Sequence, residues 1–202
     1  MSLSRFFTAG IAASIAGVLT WSGLALGAGG SGTFGNAPTY NSDTGFTLWL
    51  SDDKKAFTVA FSNLLVQLIS NSSQPIITRT FSFSLPLSGV DPGTEIPFYV
   101  SGYALCGKGT SAHLVFTVND QTMVADFPEN TDNEFVQQLK YKAGSASEAR
   151  VTINLVADRD SKSGGDALIN VLAIDTDLLN RVEDKSNLLK KAKEFIKKRK
   201  GG

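Results

Sequence analysis

The one cysteine and the one histidine of this 202-residue chain, Cys106 and His113, stand seven positions apart in YVSGYALCGKGTSAHLVFTV, residues 99–118. A thiolate and an imidazole at this spacing could act as nucleophile and base, or give two ligands to copper or zinc. Each chemistry asks for more than the pair. A metal site needs two further ligands, and with no other His or Cys in the chain only carboxylates remain to supply them. A catalytic pair needs an orienting third group and an oxyanion hole, and the neighbouring residues mark neither. The intervening GKGT carries the glycines of a tight turn. The stretch therefore reads as a β-hairpin with a small apolar cysteine on one strand in preference to an active site.

Carboxylates offer a second chemistry. In DRDSKSGGD, Asp158, Asp160 and Asp166 with nearby carbonyls could hold calcium, which takes six to eight oxygens. The spacing is not that of an EF-hand: its fifth position would be Lys162, and the closing Glu is absent. The competing reading is a solvated hairpin loop whose Asp and Gly serve turn geometry. DFPENTDNEF, with Asp126, Glu129, Asp132 and Glu134, admits the same two readings. Asp52 and Asp53 in SDDKK resemble a charged turn, since adjacent residues point to different sides and do not face each other across a sugar. Trp49, Tyr40, Tyr99, Tyr103 and Tyr141 are the candidates for an aromatic platform of the kind that stacks on sugar rings. Trp49 follows Phe46 and Leu48 in a way that leaves its face open, and core or edge packing is the commoner use.

The elements that would position these residues are strands. Phe57, Val59 and Phe61 share one face by alternation, as do Phe81, Phe83, Leu85 and Leu87, then Leu114, Phe116 and Val118, then Val151, Ile153 and Leu155. FTLWLS, IPFYVSGYAL, TMVADF, EFVQQLKYK and ALINVLAIDT complete about nine candidate strands on the period-two template. LLVQLIS, after Ser62, fits either a strand or a helical turn. Turn chemistry separates the strands in SGVDPGTE, GKGT, PENTDN, KAGSAS and DSKSGGD. Many short strands without intervening helices predict an all-β, antiparallel β-sandwich or jelly-roll-like fold over 46–178.

The two ends differ from this body. Residues 1–27 combine Arg5, an apolar run from Ile11 to Leu26 and a small-x-small site at Ala25–Gly27, the form of a signal peptide cleaved before Ala28. If uncleaved, the run approaches the length of a membrane anchor. Residues 28–45, rich in Gly, Ser, Asn and Thr, read as a flexible leader. In 179–202, Val182, Leu189, Ala192 and Ile196 continue a helical spacing begun at Leu178, with Lys and Arg on the other side. The charge divides accordingly: residues 28–180 hold nine Lys/Arg against sixteen Asp/Glu, and residues 181–202 hold nine against three. Such a basic amphipathic helix suits docking on the body, self-association or an anionic membrane surface, through Lys190, Lys191, Lys193, Phe195, Ile196, Lys197 and Lys198. Nucleic acid is not an expected partner of an exported, acidic body. No Rossmann, P-loop, zinc-finger or serine-hydrolase motif occurs.

LSDDKKAFTVAFSNLLVQL followed by RTFSFSLPLSGVDPGTEIPFYVSGYALCGKGTSAHLVFTV resembles a domain-of-unknown-function family of small secreted β proteins, numbered four-three-six-zero, over about residues 50–178. The resemblance implies an exported β-sandwich with no assigned reaction and supplies no catalytic residue. This chain departs from it in having one cysteine where the family pattern often has more, so no internal disulfide is expected. The functional expectation is a non-enzymatic exported protein, periplasmic, cell-surface or extracellular. It would act by binding or assembly, with self-association, a cell-envelope component or a polysaccharide as partner, and without a cofactor unless calcium binds. The alternatives are a calcium-dependent carbohydrate-active enzyme, and a membrane-anchored accessory subunit of an envelope complex.

Overall fold

The computed structural model of the protein describes residues 32–35, 38–40, 45–70, 72–160 and 164–179. The signal-peptide and basic-tail readings, with Lys190 to Lys198, lie outside them. The strands are Thr33–Phe34 (β1), Thr39–Tyr40 (β2), Phe46–Leu50 (β3), Ala56–Leu68 (β4), Ile76–Ser88 (β5), Glu95–Cys106 (β6), Thr110–Val118 (β7), Gln121–Phe127 (β8), Asp132–Lys142 (β9), Glu148–Arg159 (β10) and Ala167–Asp177 (β11). LLVQLIS continues β4 as a strand, because Leu64, Val66 and Leu68 face inward while Gln67 does not.

Two antiparallel sheets form the sandwich. One runs β1-β5-β10-β7-β8 with β2 also on β5, and the other runs β3-β4-β11-β6-β9. The four-strand centres, β5-β10-β7-β8 and β4-β11-β6-β9, follow the winding of a jelly roll. From β3 to β11 only the β3–β4 and β7–β8 connections return within a sheet; the other six cross to the opposite one. GKGT is one of these crossings: β6 and β7 lie in different sheets, so the expected hairpin is an arch between layers. DRDSKSGGD, between β10 and β11, is another. Strand alternation is the same in both cases, and the apolar pattern alone does not distinguish a chain that folds back beside itself from one that steps across the core.

The core sits between the sheets. Phe81, Phe98, Phe116, Val151, Ile153 and Ile174 are fully buried, and edge-on ring contacts join Phe61 to Phe81 at 4.9 Å and Phe57 to Phe98 at 6.1 Å. Each such ring contributes about 1.5–3 kcal/mol of transfer free energy, which allows a stable body without a disulfide. At Gly102 the core leaves no room for a side chain: a Cβ would stand 2.2 Å from the Asn170 carbonyl and 2.5 Å from the Phe135 ring. The segment expected as a flexible leader contributes to the same core. Phe34 is 1% exposed and stacks edge-on against Phe57 at 4.9 Å, while β1 and β2 pair with the otherwise open edge of β5. One large apolar residue among small polar ones carries no periodic signal, yet it suffices to dock the segment.

Candidate functional site

The Cys106 and His113 side chains do not meet. Cys106 ends β6 facing the core at 1% exposure, and its thiol donates to the Phe127 carbonyl at 3.3 Å. Burial, helped by the Asp158 charge, raises its pKa and keeps it protonated. His113 is on β7 of the other sheet, and its side chain points out of the sandwich. Between them, Gly109 takes the positive φ of 65° that the arch requires. The nucleophile pair and the thiolate–imidazole metal site are both ruled out by this placement.

His113 instead joins two carboxylates that sequence spacing kept apart. Register sets Asp126 of β8 directly opposite it, and Asp158 of β10 lies beside it, opposite Ser111. His113 Nδ1 is 2.7 Å from Asp126 Oδ1, Nε2 is 3.0 Å from Asp158 Oδ2, and Ser111 Oγ donates to Asp158 Oδ1. The Asp126 hydrogen bond first, then Asp158 by hydrogen bond and charge, raise the histidine pKa against an opposing effect of burial. A protonated imidazole donates from both nitrogens, so it cannot accept the Ser111 proton. The cluster is an ionic clamp across β8, β7 and β10, and the carboxylates approach opposite ring nitrogens without converging on one point.

The three calcium candidates are likewise divided. Asp158 serves the clamp, while Asp166 accepts from the Ser70 backbone N–H. Asp160 follows β10, where its backbone N–H donates to the Gly109 carbonyl at 3.0 Å. Arg159 donates to the carbonyls of Ile69, Ser70, Ser72 and Gln74 and so shapes the β4–β5 loop. In the second acidic loop, Asp126 faces His113, Glu129 accepts from the Gly109 N–H at 2.9 Å, Asp132 accepts from the Tyr103 hydroxyl, and Glu134 stands opposite Tyr103. No group of three or more acidic, His or Cys side chains suited to a metal occurs among the described residues. Asp53 accepts from Ser51 Oγ and from the Lys55 N–H at 3.1 Å, inside the β3–β4 hairpin where Lys54 has φ 55°. SDDKK is thus a structural turn.

Three of the five aromatic candidates, Trp49, Tyr99 and Tyr103, lie on the outer face of the five-stranded sheet. Phe46, Leu48 and Leu50 turn inward, which sends Trp49 outward at 45% exposure. Register then places Trp49, Thr58, Asp175, Tyr99 and Gln138 in one line across β3, β4, β11, β6 and β9. Thr58 Oγ1 donates to Asp175 Oδ1 at 2.6 Å, and Gln138 Nε2 donates to the Tyr99 hydroxyl at 3.1 Å. The next line is Thr47, Ala60, Ala173, Ser101 and Val136. Its central residues are small, and Ser101 is only 4% exposed. Beyond it come Leu65, Asn170, Tyr103 and Glu134. Asp132, by hydrogen bond first and then burial and charge, pushes the Tyr103 pKa up to about 12, so the phenol stays protonated. Tyr40, 60% exposed, instead packs edge-on with Phe46, and Tyr141 is core. Sequence analysis left the face of Trp49 open, although the alternation of FTLWL carries the signal. The alignment with Tyr99 depends on long-range register and is not written locally.

No protein-family model matches the chain, and no curated protein does. Among solved structures, the chain is similar to the enzymatically active domain of bacteriophage CBA120 tailspike protein 4 at 15% identity and a TM-score of 0.28, covering 70% of this chain and 19% of that one. It is similar to TmCBM61 in complex with beta-1,4-galactotriose at 14% identity and a TM-score of 0.27, covering 63% and 86% respectively. A third likeness, at 13% identity and a TM-score of 0.28, is to the CBM22-1 and GH10 modules of a Clostridium thermocellum endo-1,4-beta-D-xylanase complexed with xylohexaose, covering 78% of this chain and 30% of that one. Likenesses at this level carry no argument about what the chain binds.

Proposed function

We propose that the chain is an exported, non-enzymatic β-sandwich that acts by binding a polysaccharide at the cell surface or in the periplasm. The observation that carries this reading is Trp49, 45% exposed on an outer sheet face and aligned with hydroxyl, carboxylate and amide side chains. An indole left in water exposes apolar area at a cost, which stacking on the C–H face of a sugar ring recovers, while the neighbouring polar groups pair with its hydroxyls. Export rests on residues 1–27 and on the resemblance of 50–178 to small secreted β proteins. The non-enzymatic reading rests on the dispersal of the acidic residues: Asp126 and Asp158 are each bonded to a ring nitrogen of His113, and Asp166 binds backbone.

The test is retention of the full chain on a panel of insoluble envelope and plant polysaccharides, with release of reducing ends measured in parallel. At least one polysaccharide is expected to retain the protein, Trp49→Ala to abolish retention, and no reducing ends to appear. Uniform lack of retention, or retention unaffected by Trp49→Ala, overturns the proposal.

A further inference from the structure

Resting on the polysaccharide reading, we infer that the ligand is an extended, neutral pyranose chain that crosses the strands and occupies about four ring units between Trp49 and Tyr99. The line Trp49–Thr58–Asp175–Tyr99–Gln138 takes one residue from each successive strand. Its pitch is therefore the strand spacing of about 4.8 Å, close to the length of one equatorially linked pyranose ring. Trp49 and Tyr99 stand three strands apart, about 14 Å, so rings stacked on them are the first and fourth of a straight chain.

The direction follows from what each path meets. A chain laid along β6 would pass Tyr99, Ser101 and Tyr103. On that path Ser101 is only 4% exposed, and the Tyr103 hydroxyl is already given to Asp132. Across the strands, the aromatic line is bordered by the short side chains of Ala60, Ala173 and Ser101. The Tyr99 phenol accepts from Gln138 and keeps its own proton for a sugar oxygen. The Asp175 carboxylate lies midway along the line, an acceptor suited to hydroxyl donors.

Charge narrows the class. Asp175 lies in the line with Asp177 as its outward neighbour on β11, while on β9 Lys140 is the outward neighbour of Gln138 and Glu134 and Asp132 lie two and three outward positions to the other side. A uronate polymer would bring like charge to these carboxylates at a desolvated contact, so the face selects against polyanions.

The experiment titrates the full chain, by its tryptophan fluorescence and by calorimetry, with neutral β-linked oligosaccharides from disaccharide to hexasaccharide, and with polygalacturonate. Affinity is expected to rise at least tenfold from disaccharide to tetrasaccharide and then level off, with no response to polygalacturonate. Tyr99→Ala is expected to lower tetrasaccharide affinity while leaving that of the disaccharide unchanged, and Gln138→Leu, which keeps the ring, to give a smaller loss of the same kind. Binding that depends on Trp49 but not on chain length, or is indifferent to both Tyr99→Ala and Gln138→Leu, overturns the crossing geometry and leaves the polysaccharide reading standing. Preference for polygalacturonate overturns the neutral class. No response to any oligosaccharide or polysaccharide overturns the reading on which the inference rests.

Discussion

The two outer faces of this sandwich both pair polar side chains across strands and differ in what stands beside those pairs. On the six-stranded sheet the side chains satisfy one another across strands. Thr80 donates to Asn154 at 2.6 Å, Ser82 and Thr152 are 3.1 Å apart, Thr117 and Thr122 are 3.0 Å apart, and His113 is held between Asp126 and Asp158. On the five-stranded sheet an exposed indole and two tyrosines flank a strip of small residues. Paired donors and acceptors alone have little to gain from a ligand. A face that sets an exposed indole in register with such pairs does.

The comparison breaks most easily at Trp49. Trp49→Ala is expected to cost about thirtyfold or more in polysaccharide affinity, the scale of a truncated aromatic anchor. The double variant Thr80→Ala/Thr117→Ala should leave affinity unchanged. Equal losses on both faces in a retention assay would erase the distinction between them.

The clamp sharpens the comparison through pH. Because the folded pKa of His113 is raised, its stabilisation is fully present below the unfolded value of about 6.5 and is lost as pH rises through the folded value. With His113 33% and Asp126 70% exposed, solvent screening limits the gain to about 1 kcal/mol or less. Melting curves of the parent and His113→Gln should therefore differ most in mildly acidic buffer and converge as pH rises; a gap that widens with pH would contradict the clamp. A smaller effect is expected from Thr80→Val, a few tenths of a kcal/mol by denaturant titration, since one cross-strand pair is lost. The smallest is calcium, which should leave the melting temperature unchanged. A rise of several degrees that disappears in Asp158→Ala would restore a cation site.

Much of the fold was legible because strand alternation is local. Phe81, Phe83, Leu85 and Leu87 announce their buried face without reference to any other strand, and all are in the core. What alternation does not encode is the partner. GKGT and DRDSKSGGD read as hairpin turns and are crossings, because the choice lies in how distant strands compete for the same edge. The candidate site was legible to the same extent: parity sends Trp49 outward, but its alignment with Tyr99 passes through β4 and β11. Likewise, His113 meets Asp158 only because β10 lies beside β7. Phe34 was missed since a single residue has no period.

The crossing connections also govern how the chain reaches its native state. β11 lies at the centre of its sheet, between β4 and β6, and Thr58 finds Asp175 from 117 residues away. Long-range pairing of this kind makes folding slow, because loop entropy is lost before contacts repay it. A nascent chain ending before Ala167 has both long neighbours of β11 present and each with an unpaired edge. Until β11 emerges, those edges are open to other chains. The order of synthesis thus makes β11, the last strand among the described residues, the step that closes the five-stranded sheet and removes those edges.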